Sequence, residues 1–301
     1  MPSLQAKLLN GFLSISGARR QFSNGEQLLA KAVKRRPKEP AEPSAKIKRK
    51  YEVSETSRGG ARTFVVAPRE GGRPLDILFL HGGAYIWDLM SIHWSFITGL
   101  VDRLGATITV PLYPLAPEAS WQEAHAVAHA AYDDLTKTDS GRSLVLAGDS
   151  SGAGLALALA MSLRDTGRRL PAALVLASPW LDVSVSDPTQ PVLARNDPML
   201  AIPGLRAAGR SYARDLPLID PRVSPLFGSL SELPPIAIFT GSRDLLSADA
   251  KRLASKADDP NRVRLFEYPG MVHGWMLLPI PEAARALDDA AGFLTERTAP
   301  A

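Results

Sequence analysis

Gly148-Asp149-Ser150-Ser151-Gly152 stands directly after the apolar run SLVLA and just before GLALALAMSL. A sharp bend between a strand and a helix pushes its middle side chain outward, and the residues two positions away must be small to avoid collision. Ser150 would then stand at the rim of a sheet, at the positive end of a helix. A serine hydroxyl attacks a carbonyl only when a base takes its proton and a third group orients that base. Five histidines can be considered. His125 and His129 lie one turn apart in an Ala-rich helical stretch and read as packing or surface residues, and His93, at the start of a helix, reads as structural. His273 sits in the loop YPGMVHGW after the last strand-like run, where it can reach Ser150. The acid should come from the end of the preceding strand: Asp244 is the first carboxylate past PIAIFT, and Asp249, its rival, lies a turn into the following helix. In His81-Gly82-Gly83-Ala84-Tyr85 the small residues leave backbone N–H groups open to a ligand. With the Ser151 amide they would make an oxyanion hole, and His81 would brace the loop by hydrogen bonding. The chemistry is acyl transfer through a covalent acyl-serine.

These residues need a scaffold. Strand-like runs occur at 48–55, 63–68, 76–80, 106–112, 143–147, 172–177, 235–240 and 263–268. Helical stretches are expected at 92–104, 120–136, 151–165, 245–257 and 282–296. Strands alternating with helices imply an α/β fold, a mostly parallel sheet with helices on both faces. Runs such as SLVLA and AALVLA suit strands buried on both sides. The first two runs, joined around Gly59-Gly60, read as an antiparallel edge hairpin. Ahead of them, residues 4–13 place Leu4, Leu8, Leu9, Phe12 and Leu13 on one helical face. A second helix follows near 25–36, and Pro37, Pro40 and Pro43 read as a linker. Nearly sixty Pro- and Leu-rich residues separate the sixth and seventh runs; so long a connection usually carries a lid or binding loops.

The 301 residues are 45% apolar and 22% charged, an ordinary globular mix. Cysteine is absent, which excludes a disulfide scaffold, a Cys-ligated zinc site and a thiol nucleophile, and is compatible with a cytoplasmic location. No apolar run approaches the ~18 residues of a transmembrane helix, and the first twenty residues lack a secretory-leader pattern. Residues 1–60 hold 13 Lys+Arg against 5 Asp+Glu, with KRRPK at 34–38 and KIKRK at 46–50. This basic arm reads as a solvated face, with anionic lipid as the alternative partner. It lacks interleaved aromatics, so nucleic acid is not expected.

HGGAY, GDSSGAG, GSRDLL and GMVHGW, in this order, resemble the bacterial branch of the hormone-sensitive lipase family of esterases, across about residues 48–297. The order Ser150, Asp244, His273 is that of α/β-hydrolases. The resemblance implies an eight-stranded α/β-hydrolase sheet with a helical cap. It assigns 1–45 to N-terminal cap helices, 46–181 to the first part of the catalytic core, 182–230 to a cap insert and 231–301 to the rest of the core. It further implies a triad of Ser150, Asp244 and His273, and oxyanion glycines Gly82 and Gly83, with Ala84 replacing the usual third glycine. No metal or organic cofactor is required. Small esters of short to medium acyl chain are the implied substrates, and a homodimer is compatible. An amidase or peptidase could use the same triad. A non-catalytic small-molecule receptor would have no need of the base. The segments SPWLD (178–182) and NDPML (196–200) also resemble family segments, with Asp182 and Asp197 read as hydrogen-bond braces.

Overall fold

The computed structural model describes residues 1–37, 39–137, 141–257, 259 and 262–298; Lys38 of the basic run lies outside them. The chain opens with four helices: α1 (Leu4–Ile15), α2 (Ala18–Phe22), α3 (Gly25–Arg35) and α4 (Ala45–Lys50). Side-chain oxygens of Ser3, Asn24 and Ser44 cap α1, α3 and α4. Helix α4 was not expected. Its cap and its Lys/Arg run, good helix formers, delay the first strand to Tyr51. The apolar positions of α1 also divide. Leu9 and Leu13 pack against the core, whereas Leu4, Leu8 and Phe12 face solvent.

Eight strands form one sheet: β1 (Tyr51–Arg58), β2 (Ala61–Pro68), β3 (Leu75–Leu80), β4 (Thr107–Pro111), β5 (Ser143–Asp149), β6 (Ala173–Ala177), β7 (Ile236–Gly241) and β8 (Val263–Tyr268). Their order is β1-β2-β4-β3-β5-β6-β7-β8, and only β2 runs against its neighbours. Arg58 pairs with Ala61 across Gly59-Gly60, both at positive φ, as a tight two-residue hairpin turn requires. Strands β3, β5, β6 and β7 are buried almost throughout. Their side chains alternate between two cores. Leu78, Leu80, Leu146, Leu176 and Ile238 enter one, beneath α6 (Trp121–Thr136) and α7 (Ser150–Asp165). Ile77, Phe79, Val145, Val175 and Phe239 enter the other, beneath α5 (His93–Leu104) and α11 (Pro281–Arg297). Burial on both faces explains why these runs read as continuously apolar rather than alternating.

The long connection after β6 contains α8 (Gln190–Asn196) and α9 (Ile202–Ala213), and α10 (Ser247–Ser255) follows β7. Helices α2 and α3 pack on α9, where a Cβ on Gly204 would lie 2.6 Å from the Phe22 carbonyl oxygen and one on Gly25 2.4 Å from Ala207 Cβ. Helix α1 lies elsewhere, against the loop that follows β8: Asn10 Nδ2 donates to the Gly270 carbonyl at 2.9 Å, and Ser3 binds Glu282.

Candidate active site

Ser150 is the first residue of α7, one step past the end of β5, with φ 51°. Such a left-handed conformation costs a non-glycine residue about 1–3 kcal/mol and persists only where the surroundings enforce it. The enforcement is steric. A Cβ on Gly152 would stand 2.0 Å from the Leu80 carbonyl oxygen, and one on Gly148 2.6 Å from the Gly152 carbonyl. Two glycines therefore let the strand and helix close so tightly that only the middle side chain can point outward.

His273 comes from the loop after β8 and Asp244 from the turn after β7. His273 Nε2 lies 2.9 Å from Ser150 Oγ, and its Nδ1 lies 2.9 Å from Asp244 Oδ2. Asp244 is fully buried, and its other oxygen accepts the Leu246 amide at 2.8 Å. A carboxylate on Nδ1 fixes the hydrogen there, which leaves Nε2 bare to accept from the serine. Burial pulls the His273 pKa down, but the charge and hydrogen bond of Asp244, with Asp197 and Asp149 behind it, outweigh burial and raise it. Asp249 faces away, held by Gln190 and Arg252. Burial, then the charge of Asp182, push its pKa up to about 7.

Opposite the serine, Gly83 and Ala84 line the same cavity as Ser150 and His273. The Gly82 amide, expected among the oxyanion donors, is engaged elsewhere: it donates to Asp149 Oδ1 at 2.8 Å. Among the described residues the Gly83 and Ala84 amides have no such acceptor, which leaves them as the candidate donors on this loop. The Ser151 amide belongs to the first turn of α7, where N–H groups have no partner within the helix. Ala84 takes φ 54°, so an alanine holds the left-handed turn that a third glycine would adopt freely. His81 braces the loop, with Nδ1 2.8 Å from the Gly82 carbonyl oxygen and its ring stacked on Tyr113 at 4.4 Å.

Asp149 is the residue behind the glycine loop that sequence reasoning left unassigned. Burial would raise its pKa, but His93 and the Gly82 amide outweigh that and hold it low. His93 Nε2 lies 3.4 Å from Asp149 Oδ2, so the histidine expected to be structural sits behind the oxyanion loop. The available signal was a carboxylate closing an otherwise apolar strand. Asp182 and Asp197 brace turns: Asp182 accepts from Ser184 and Ser186, and Asp197 from the Met199, Leu200 and Leu245 amides. His125 is bound to the Arg222 carbonyl and His129 to Ser162, both away from the cavity.

The cavity measures about 690 Å³ and is walled by Phe22, Trp87, Met199, Leu205 and Leu277, among others. That volume is typical of a site enclosing one small organic molecule. Its walls come from α2, the oxyanion loop, the α8–α9 connection, α9 and the His273 loop.

A family model described as "alpha/beta hydrolase fold" matches residues 77–277. An esterase of Acinetobacter venetianus is 34% identical over 224 residues, 73% of this chain and 74% of that protein. An acetyl-hydrolase of Streptomyces hygroscopicus is 37% identical over 237 residues, 76% of this chain and 78% of that one. The crystal structure of a hormone-sensitive lipase from a metagenome library superposes with a TM-score of 0.82 at 27% identity, over 97% of this chain and 98% of that one.

Proposed function

The chain belongs to the hormone-sensitive-lipase branch of the alpha/beta hydrolase fold family and is a carboxylic ester hydrolase, and from that premise we propose that it works through a Ser150–His273–Asp244 triad and an acyl-enzyme. The observation that carries this reading is the unbroken hydrogen-bond chain from Ser150 Oγ through the imidazole to Asp244, 2.9 Å at each step. Ser150 Oγ attacks the ester carbonyl while Nε2 takes its proton. Asp244 holds the tautomer and stabilises the imidazolium. The Gly83, Ala84 and Ser151 amides receive the negative charge that develops on the carbonyl oxygen. His273 then passes its proton to the departing alkoxide. In the second half, Nε2 draws a proton from water, hydroxide adds to the acyl carbon, and Ser150 leaves with the proton returned to it.

Helices α2, α3, α8 and α9 act as the cap over this centre, and the apolar walls that α2, α9 and the α8–α9 connection supply suit acyl chains of short to medium length. Hydrolysis of p-nitrophenyl esters across chain lengths, beside matched anilides, tests this. The expected result is a maximum at short to medium esters with anilides far slower. Equal or faster anilide cleavage would make the enzyme an amidase.

A further inference from the structure

Helix α1 carries an apolar stripe that no described residue covers. Leu4, Leu8, Phe12 and Ile15 are 72, 66, 63 and 83% exposed. At ~100° per residue they fall within an arc of about 80°. That arc points away from the buried side, where Ala6 and Asn10 meet the protein. Along its own segment the stripe is flanked by charge of one sign, and the carboxylates beside Met1 and Pro2 are already engaged, Glu267 with Lys251, Glu282 with Arg285, Asp288 with Arg103 and Asp289 with Tyr268. Residues 1–25 contain Lys7, Arg19 and Arg20 and no Asp or Glu. Among the described residues none of these three is in an ion pair; Arg19 only donates to the Arg195 carbonyl. Farther along the basic arm Arg36 pairs with Glu118, Lys48 with Glu42 and Lys50 with Asp102, while Lys31, Lys34, Arg35, Lys46 and Arg49 are, like the first three, outside any ion pair among the described residues. Unneutralised cations thus flank the exposed apolar side chains and continue along the arm that follows them.

We propose that α1 is an interfacial helix that docks the enzyme on an anionic lipid surface. An amphipathic helix with outward Leu, Phe and Ile and flanking cations is the form that binds at a headgroup–acyl boundary, through apolar burial and attraction to anionic lipid together. A second copy of the chain suits the stripe less well, because pairing two such faces would oppose six cations with no carboxylate from residues 1–25. The placement of the cavity agrees. Two residues past α1, helix α2 lines the cavity with Ala18, Gln21 and Phe22, and the exposed Met90 and Ile92 line it too. Docking through α1 brings that entrance toward ester held in the lipid.

The test is co-sedimentation of the full chain, as the Ser150→Ala variant, with vesicles of phosphatidylcholine alone or mixed with phosphatidylglycerol, at low and high salt. Lipid docking predicts binding to the anionic vesicles that salt weakens. The paired substitution Phe12→Ser/Ile15→Ser should lower the partition coefficient about tenfold or more, and Lys7→Gln/Arg20→Gln should flatten the salt dependence. In a Ser150 background both pairs should keep the wild-type melting curve and hydrolysis of dissolved p-nitrophenyl acetate. Absence of salt-sensitive binding overturns the proposal, as does wild-type binding by Phe12→Ser/Ile15→Ser. A dimer in solution that this pair converts to monomer would show that a second copy covers the stripe instead. Using Ser150→Ala makes the result independent of whether Ser150 is the nucleophile.

Discussion

Asp149→Asn tests whether the residue beside the nucleophile anchors the oxyanion loop. In the native protein Oδ1 accepts the Gly82 amide at 2.8 Å and Oδ2 lies 3.4 Å from His93 Nε2. His93 Nδ1 lies 2.8 Å from the Met90 amide and 3.1 Å from the Met90 carbonyl oxygen; with Nδ1 accepting the closer amide, the ring hydrogen is on Nε2, facing the carboxylate. Asparagine keeps an acceptor for Gly82 but loses the charge, reducing a bond of about 1.5–3 kcal/mol to about 0.5–1.5. Its NH₂ then opposes the buried His93 N–H, replacing the attraction of a carboxylate 3.4 Å away by a donor facing a donor, which costs about 1–3 kcal/mol. The sum is about 3 kcal/mol, a fall in Tm of roughly 5 °C for a chain of this length. Loss of one oxyanion donor costs about 10²–10³ in kcat, so a partly misdirected Gly83–Ala84 loop should lose roughly ten- to a hundredfold in kcat with KM little changed. Thermal melting and p-nitrophenyl butyrate kinetics read both. A variant that melts within about 1 °C of wild type and keeps its kcat would refute the anchoring argument.

Three further outcomes follow from the same geometry. Gly152→Ala drives a methyl into the Leu80 and His81 carbonyl oxygens at 2.0 and 2.4 Å, whereas Gly292→Ala in α11 meets nothing within 4 Å. By urea titration the first should lose about 3 kcal/mol or more and the second gain about 0.5–1. Burial, then His129, lower the His125 pKa to about 4. The unfolded chain takes up that proton near pH 6.5 and the folded one does not, so stability should decline by about 3 kcal/mol as pH falls from 6.5 to 4. His125→Gln should lessen the decline; an unchanged slope would clear His125 of it. Asp244→Asn should cost about 10⁴-fold in turnover while Asp249→Asn retains most activity, and the reverse ranking would move the acid to Asp249.

The features legible in the sequence are those where sterics or burial leave few choices. Ser150 could be located because a closed bend tolerates only glycine at 148 and 152, and Asp244 because it is the first carboxylate beyond β7. Strands buried on both faces announce themselves as unbroken apolar runs. The cavity wall had no comparable signal, since Phe22, Trp87, Met199 and Leu205 come from separate segments that only the packing of α2 and α3 on α9 brings together. The direction of α1 was equally hidden. Its five leucine and phenylalanine positions span nearly half the helix, and polar contacts from Ser3 and Asn10 to Glu282 and Gly270 decide which part turns inward. Gly82 reads like Gly83 in the sequence, and only the Asp149 carboxylate across the turn, which takes the Gly82 amide, tells them apart.

The most direct measurement is covalent labelling by a fluorophosphonate, with the adduct located by mass spectrometry of the digested protein. A hydroxyl activated by His273 should be modified at Ser150, in step with loss of ester hydrolysis, and Ser150→Ala should take up no label. Modification at another residue that accounts for the lost activity, or full esterase activity in Ser150→Ala, would contradict the assignment of the nucleophile.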